Sequence, residues 1–254
     1  MTNLDNSLQC PVMIKSILLR RNEAHTNITI NSGGQNAIGA NAQGEWLLFT
    51  HPVDVVSTSD ATKIVDLLND IESRVEELKL YAAGFISYEA SSAFDSALTA
   101  VKKSDLPLFC FGLFESVQVF DNPPSIQGDF ETKNWRQSGS CDHYLEQLAK
   151  IKKRIRAGDT YQVNYTFQRS ADYTGDPLAL FHRFAKDAPY AAYIESEDFA
   201  ICSASPELFF NKTGSLTTTK PMKGTVRRGL SQADDEQCQN ELASSEKDRA
   251  ENIM

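Results

Sequence analysis

Cysteine is scarce and unpatterned in this 254-residue chain: five residues, at positions 10, 110, 141, 202 and 238, none in a C-x-x-C pair. An odd, scattered set excludes a fully paired disulfide framework and offers no zinc-ligand spacing, so reduced thiols in a cytosolic protein are expected. No run of 18 apolar residues occurs, and no charged segment with an apolar core opens the N-terminus. Neither a membrane span nor a secretory leader is therefore expected, and the anticipated setting is cytoplasmic. Positive charge is also short, with 25 Lys and Arg against 34 Asp and Glu, a formal net charge of −9. Without a basic footprint, a general nucleic-acid or anionic-membrane surface is disfavoured. The densest basic run, Lys150, Lys152, Lys153, Arg154 and Arg156, alternates with apolar residues at helical spacing and reads as a solvated helix face.

What is present is an ordinary globular balance, 41% hydrophobic and 23% charged, enough chain for one large domain or two small ones. Ile28–Ile30 and Glu45–Phe49 are strand-like. Ser59 or Asp60 caps a helix that buries Ile64, Leu67, Leu68, Ile71 and Val75. Tyr81–Tyr88 reads as a buried strand in which Gly84 permits close backbone approach, and Leu108–Phe120 as another strand region before the turn at Asn122-Pro123-Pro124. From Asp142, taken as an N-cap, Leu145, Leu148, Ile151 and Ile155 form an apolar stripe that ends at Gly158. Tyr161, Val163, Tyr165 and Phe167 then alternate as in a half-buried strand, with Gln162 and Asn164 opposite, either structural or facing a ligand. Asp176-Pro177 opens a helix with Leu180, Phe181 and Phe184 inward. Ala191–Glu195, Phe199–Ser203 and Leu208–Asn211 are strands, and Lys212–Ser215 turns the chain into Leu216–Lys220 as a hairpin. A polar stretch, Ser231–Asn240, leads to a helix over Glu241–Met254. Strands and helices in blocks indicate an α+β fold.

The chemistry-bearing residues crowd into the last fifth. Lys223 follows a strand, with Pro221 restricting the backbone before it and Gly224 allowing close approach after it. A lone lysine is usually a surface charge, but that flanking rigidity favours function. To act as a nucleophile the amine must be neutral, against an ordinary pKa of about 10.4. Burial, a metal ion, or the nearby cations Lys220, Arg227 and Arg228 are the available means of lowering it. Glu207, in Ser205-Pro206-Glu207, falls near the same end of the hairpin, where it is either an exposed strand-end carboxylate or a proton donor to a leaving hydroxyl. Asp248 and Glu251 share a helix face. They are solvated, with Lys247 and Glu251 paired, or they help hold Mg²⁺, which commonly takes one or two carboxylates with water and an anionic substrate.

Taken together, A-G-D-T-Y-Q-V-N, S-P-E, P-M-K-G-T-V-R-R-G and S-S-E-K-D-R-A-E-N-I-M, all beyond about residue 140, resemble the chorismate-utilising enzymes. The front, with W-L-L-F-T-H-P and Y-A-A-G-F-I-S-Y-E-A, is similar to the variable N-terminal region of the aminodeoxychorismate-forming branch, particularly versions fused to an aminodeoxychorismate lyase. The resemblance implies layered β-sheets flanked by helices, with an N-terminal region over 1–136 and the first part of the chorismate-binding catalytic domain over 137–254. Anthranilate-forming relatives have alanine where Lys223 stands, and the aminodeoxychorismate branch has P-I-K-G-T; Met222 for isoleucine is a volume-conserving swap. It further implies that Lys223 adds to C2 of chorismate and that Glu207 protonates the departing 4-hydroxyl. Gly224 and Thr225 would line the substrate, and Glu251 would hold a Mg²⁺ cofactor facing the ring carboxylate. Ammonia would come from a glutamine amidotransferase subunit or domain, and the product, 4-amino-4-deoxychorismate, would supply 4-aminobenzoate and folate synthesis.

The family's helix continues past Met254 into I-V-D-L-x-R-N-D, and its second metal glutamate, an arginine and tyrosine for the substrate carboxylates and a glycine-rich loop follow. These residues are expected to be the N-terminal fragment of such an enzyme, truncated in its C-terminal half. The alternatives are an anthranilate or isochorismate synthase-like enzyme, or a non-catalytic ligand-binding remnant. For the last, Trp46–His51 lies about where related regions hold a tryptophan-like ligand, although a plain core strand is preferred there. The polypeptide alone is expected to make no product and to be poorly soluble, because uncovered strand edges and apolar faces associate. Soluble expression with measurable aminodeoxychorismate formation from chorismate and ammonia would contradict this.

Overall fold

The computed structural model describes residues 12–21, 45–100, 105–124 and 128–254. The strand-like reading at Ile28–Ile30 lies outside them. In chain order the strands and helices are β1 (Ile14–Arg21), β2 (Glu45–Thr50), β3 (Asp54–Thr58), α1 (Ile64–Leu78), β4 (Tyr81–Ile86), β5 (Phe109–Phe114) and β6 (Gln118–Phe120). They continue as β7 (Phe130–Gln137), α2 (Cys141–Ala157), β8 (Arg169–Gly175), α3 (Pro177–Ala185), β9 (Tyr190–Ser196) and β10 (Ala200–Ser205). β11 (Leu208–Thr213), β12 (Leu216–Lys220), α4 (Gln232–Ser244) and α5 (Glu246–Ile253) complete the order. Contacts group the chain into two compact units, one of residues 1–124 with 184–254 and one of 125–183.

The first unit depends on β1, which pairs antiparallel with β2 on one side and β9 on the other, in a sheet ordered β10-β9-β1-β2-β6. Adjacent residues Ile17 and Leu18 point to opposite faces, and both are buried. That is the signature of a central strand covered on both sides. The sequence reading did not identify β1, because an apolar I-L-L run lacks the alternation that marks a half-buried strand. Its registers Ile17↔Ile194 and Leu18↔Tyr193 tie the front of the chain to a strand about 175 residues later.

A second sheet, ordered β3-β5-β4, packs against the first through Ile17, Leu47, Phe49, Ala83, Cys110, Phe114 and Ile194. Phe49 and Phe114 bring their ring centroids to 5.3 Å. The Trp46–His51 segment is thus core strand over Trp46, Leu47 and Phe49, with His51 exposed at its end. The far face of the second sheet is covered by α1, which buries Ile64, Ile71 and Val75 with Leu67 and Leu68 beside them. Asp60 caps the single 3₁₀ turn ahead of α1, accepting from the Thr62 amide. Arg74 of α1 meets Asp54 of β3 at 2.6 Å and holds that carboxyl below its usual range. Layered sheets flanked by helices are therefore the architecture.

Cys110, Cys141 and Cys238 are free, and burial pushes Cys110 and Cys202 up to about 11. Among the described residues no helix is long and apolar enough to cross a membrane.

In the unit of residues 125–183, β7 and β8 form an antiparallel pair with a bulge between Lys133 and Arg136. Asn134, at φ 52, and Arg136 both donate to Asp172 there, at 2.7 and 2.6 Å. Ser140, not Asp142, caps α2: its hydroxyl accepts from the His143 amide, which leaves Asp142 in the first turn. Gly158 ends α2 at φ 79, as read from sequence. The expected stripe does not bury α2, whose Leu145 and Ile155 are exposed. Its basic run is solvated, with Lys150 paired to Glu146 at 2.7 Å and Arg154 to Asp159 at 2.8 Å. The alternating segment Tyr161–Phe167 is not a strand, because a ladder needs a neighbour and none of the described residues pairs with it. Strand pairing begins only at Arg169. Asp176 caps α3 through the Leu178 amide; Phe181 is buried while Phe184 is exposed, against expectation.

Gly84 of β4 lies opposite Phe111 of β5, and a Cβ there would run into the Cys110 carbonyl and the Phe111 backbone and ring. Overpacking of this kind costs about 1–3 kcal/mol. Gly84→Ala is expected to lower the urea midpoint accordingly, and an unchanged midpoint would contradict the close approach.

Candidate functional site

Serine and proline shape the turn that delivers Glu207. The Ser205 hydroxyl accepts from the Glu207 amide at 3.3 Å and donates to the Glu207 carbonyl at 3.0 Å, closing a local turn between β10 and β11. The Glu207 side chain is left exposed. β11 and β12 then pair antiparallel across a tight turn in which Gly214 takes φ 59. The register sets Leu208 opposite Lys220, with a one-residue shift before Asn211↔Thr218. Glu207 precedes the first paired residue and Lys223 follows the last by three, so both stand at the same end of the ribbon. The ribbon exposes Phe209 and Leu216, at 86% and 68%.

Beyond Lys220 the chain runs without helix or strand to residue 230. Lys223 and Thr225 are exposed on this loop, and between them Gly224 takes φ 64. A Cβ on Gly224 would sit 3.0–3.2 Å from the Asp248 side chain, so the corner after Lys223 rests against α5. Ser245 caps α5, its hydroxyl accepting from the Asp248 amide. The helix expected over Glu241–Met254 is therefore two, α4 and α5, broken at that serine. Glu251 lies three residues past Asp248 on the same face of α5, its side chain 21% exposed and 3.9 Å from Lys247. Gly224 and α5 are thus brought together, and Glu207 and Lys223 share one hairpin end.

Sequence reasoning missed what anchors the loop. Arg227 and Arg228 are not cations directed at Lys223; each grips a carboxylate on α4. Arg227 binds Asp234 in a fork at 2.8 and 2.9 Å, and Arg228 binds Asp235 at 2.8 and 2.6 Å. The Gly229 amide donates to Asp235 and the Leu230 amide to Asp234, each at 2.7 Å. The fork from Arg228, helped by the Gly229 amide, pulls Asp235 down to about 2, and Arg227 with the Leu230 amide lowers Asp234. In sequence α4 reads as a polar stretch, since it carries no apolar stripe and buries only Cys238. Its signals were the Ser231 cap and the acidic first turn.

For a divalent ion, the described residues hold no ready cluster of three or more His, Cys, Asp or Glu. Mg²⁺ does not need one, since one or two carboxylates with water and substrate suffice. Glu251 fits as a single donor: it is half-buried, and its lysine partner is too far for a tight bond.

Residues 121–254, just over half the chain, match the model of a protein family described as chorismate binding enzyme. This chain belongs to the chorismate binding enzyme family. Aminodeoxychorismate synthase component 1 of Bacillus subtilis is 39% identical over 162 residues, covering 63% of this chain and 33% of the relative. Anthranilate synthase component 1 of Aquifex aeolicus is 29% identical over 144 residues, covering 56% and 29%. The family fold is seen in a Bacillus anthracis structure assigned as a 2,3-dihydroxybenzoate-specific isochorismate synthase, DhbC. It has a TM-score of 0.57 at 13% identity and covers 95% of this chain and 57% of that one. The chain spans about a third of the length of the curated relatives it matches.

Proposed function

We propose that this chorismate binding enzyme belongs to aminodeoxychorismate synthase component I, with residues 137–254 the first part of its catalytic domain. The complete enzyme converts chorismate and ammonia to 4-amino-4-deoxychorismate, for 4-aminobenzoate and folate synthesis in the cytoplasm. One observation carries the reading: the hairpin register puts an amine, Lys223, and a carboxyl, Glu207, at one end of one ribbon. Support comes from relatives named aminodeoxychorismate synthase component 1 at 37–39% identity in several bacteria. Relatives named anthranilate synthase component 1 lie lower, at 26–34%. The anthranilate-forming branch carries alanine in place of the lysine.

In this reading the Lys223 amine gives up its proton and adds its electron pair at C2 of chorismate. Both ring double bonds shift, C1=C2 to C1=C6 and C5=C6 to C4=C5, and the 4-hydroxyl departs as water on receiving a proton from Glu207. Ammonia then adds at C4, both double bonds return to C5=C6 and C1=C2, and the C2–N bond breaks to release the lysine. The sum is chorismate plus ammonia to 4-amino-4-deoxychorismate plus water. Gly224 and Thr225 line the substrate beside the lysine. Glu251 would hold Mg²⁺, which would supply neutralising charge toward the substrate's ring carboxylate. The ammonia source is a glutamine amidotransferase subunit or domain, and a fused aminodeoxychorismate lyase is a further candidate neighbour.

The complete enzyme, given chorismate and ammonia, is expected to yield 4-amino-4-deoxychorismate by mass spectrometry. Lys223→Ala is expected to lower the rate by about 100-fold or more, as loss of a covalent nucleophile does. Anthranilate or isochorismate as the product would overturn the assignment.

A further inference from the structure

The loop carrying Lys223 has no ladder to fix it, yet it is fastened at two places. Directly after the lysine, Gly224 rests on Asp248 of α5. Farther on, Arg227 and Arg228 reach seven residues ahead to Asp234 and Asp235, and the amides of Gly229 and Leu230 add to the same two carboxylates. Two parallel forks fix orientation as well as distance, because a planar guanidinium meets a carboxylate in a single plane. Both acids lie in the first turn of α4, where the helix dipole favours negative charge.

These pairs contribute little to global stability. The side chains of Arg227 and Arg228 are 61% and 89% exposed, and solvated ion pairs are weak and screened. What they determine is the path of the backbone from Gly224 to Ser231.

We infer that Arg227, Arg228, Asp234 and Asp235 form an electrostatic latch that positions Lys223. They are positioning residues, acting through the loop, and the inference rests on the reading of Lys223 as the nucleophile. The latch holds the amine at the hairpin end where Glu207 stands, so that less of the loop's freedom must be lost when bond formation begins. Being exposed, it loosens as ionic strength rises.

The test uses the complete enzyme in three forms: parent, Asp234→Asn with Asp235→Asn, and the exchanged pair Arg227→Asp with Asp234→Arg. Amide hydrogen exchange over residues 222–230 is followed by mass spectrometry, alongside kcat and KM for chorismate amination. In the double asparagine form, exchange is expected to quicken and kcat to fall, each by about tenfold, with KM within about twofold. Added salt should lower kcat in the parent but not in that form. The exchanged pair should recover part of both protection and kcat relative to the asparagine form, short of the parent because the Leu230 amide loses its acceptor at Asp234. Unchanged exchange in the asparagine form overturns the latch. So does a lower melting temperature with kcat per folded molecule intact, and so does failure of the exchanged pair to recover either quantity. If the parent makes no aminodeoxychorismate, the nucleophile reading has failed by itself. Protection of residues 222–226 then decides the latch alone, and its retention in the asparagine form overturns it.

Discussion

The antiparallel pairing of β11 with β12 is the constraint from which the candidate site follows. Glu207 and Lys223 are 16 residues apart in the chain, and only the hairpin brings the two positions to one end of one ribbon. Gly214 makes that possible, since its φ of 59 is the left-handed conformation a two-residue turn requires. A register one residue away would turn the strand faces over. The chemistry proposed for the site, an amine adding to a ring while a carboxyl from the same hairpin end releases water, depends on this register more than on any single contact.

The ribbon itself is held by the continuity of the chain. β10 leads into it through the Ser205 turn, β10 pairs with β9, and β9 pairs with β1 at the centre of the five-stranded sheet. The β1–β9 pairing explains why residues 184–254 group with residues 1–124, although 125–183 intervene. Beyond the ribbon the stabilising interactions change character. The sheets rest on buried apolar contacts such as Phe49 with Phe114, whereas the loop after Lys223 rests on solvated charge and on a glycine pressed against α5. A loop fixed by charge suits a site that must bind, react and release.

Much of this was legible in sequence wherever pattern and punctuation agreed. α1 announced itself by spacing, β4 by small residues with Gly84 at the close approach, and the hairpin by Thr-Gly-Ser between two strands. The misses share a physical cause, which is long-range pairing. β1 is a strand because β2 and β9 flank it, and Tyr161–Phe167 has a strand's alternation without a described neighbour to pair with. α4 owes little to an apolar face. The family motifs pointed to the chorismate binding enzyme family through their order and spacing. Those motifs did not reveal that the two arginines after it are occupied by Asp234 and Asp235, because a loop-to-helix fork has no period to read.

Bond formation between Lys223 and the substrate ring is the claim on which the proposed chemistry turns. The most direct measurement incubates the complete enzyme with chorismate while ammonia and glutamine are withheld, then maps the digested protein by mass spectrometry. Chorismate less one water is expected on the peptide containing Lys223, to be released when ammonia is added. An unmodified Lys223 in an enzyme that still aminates chorismate would contradict it.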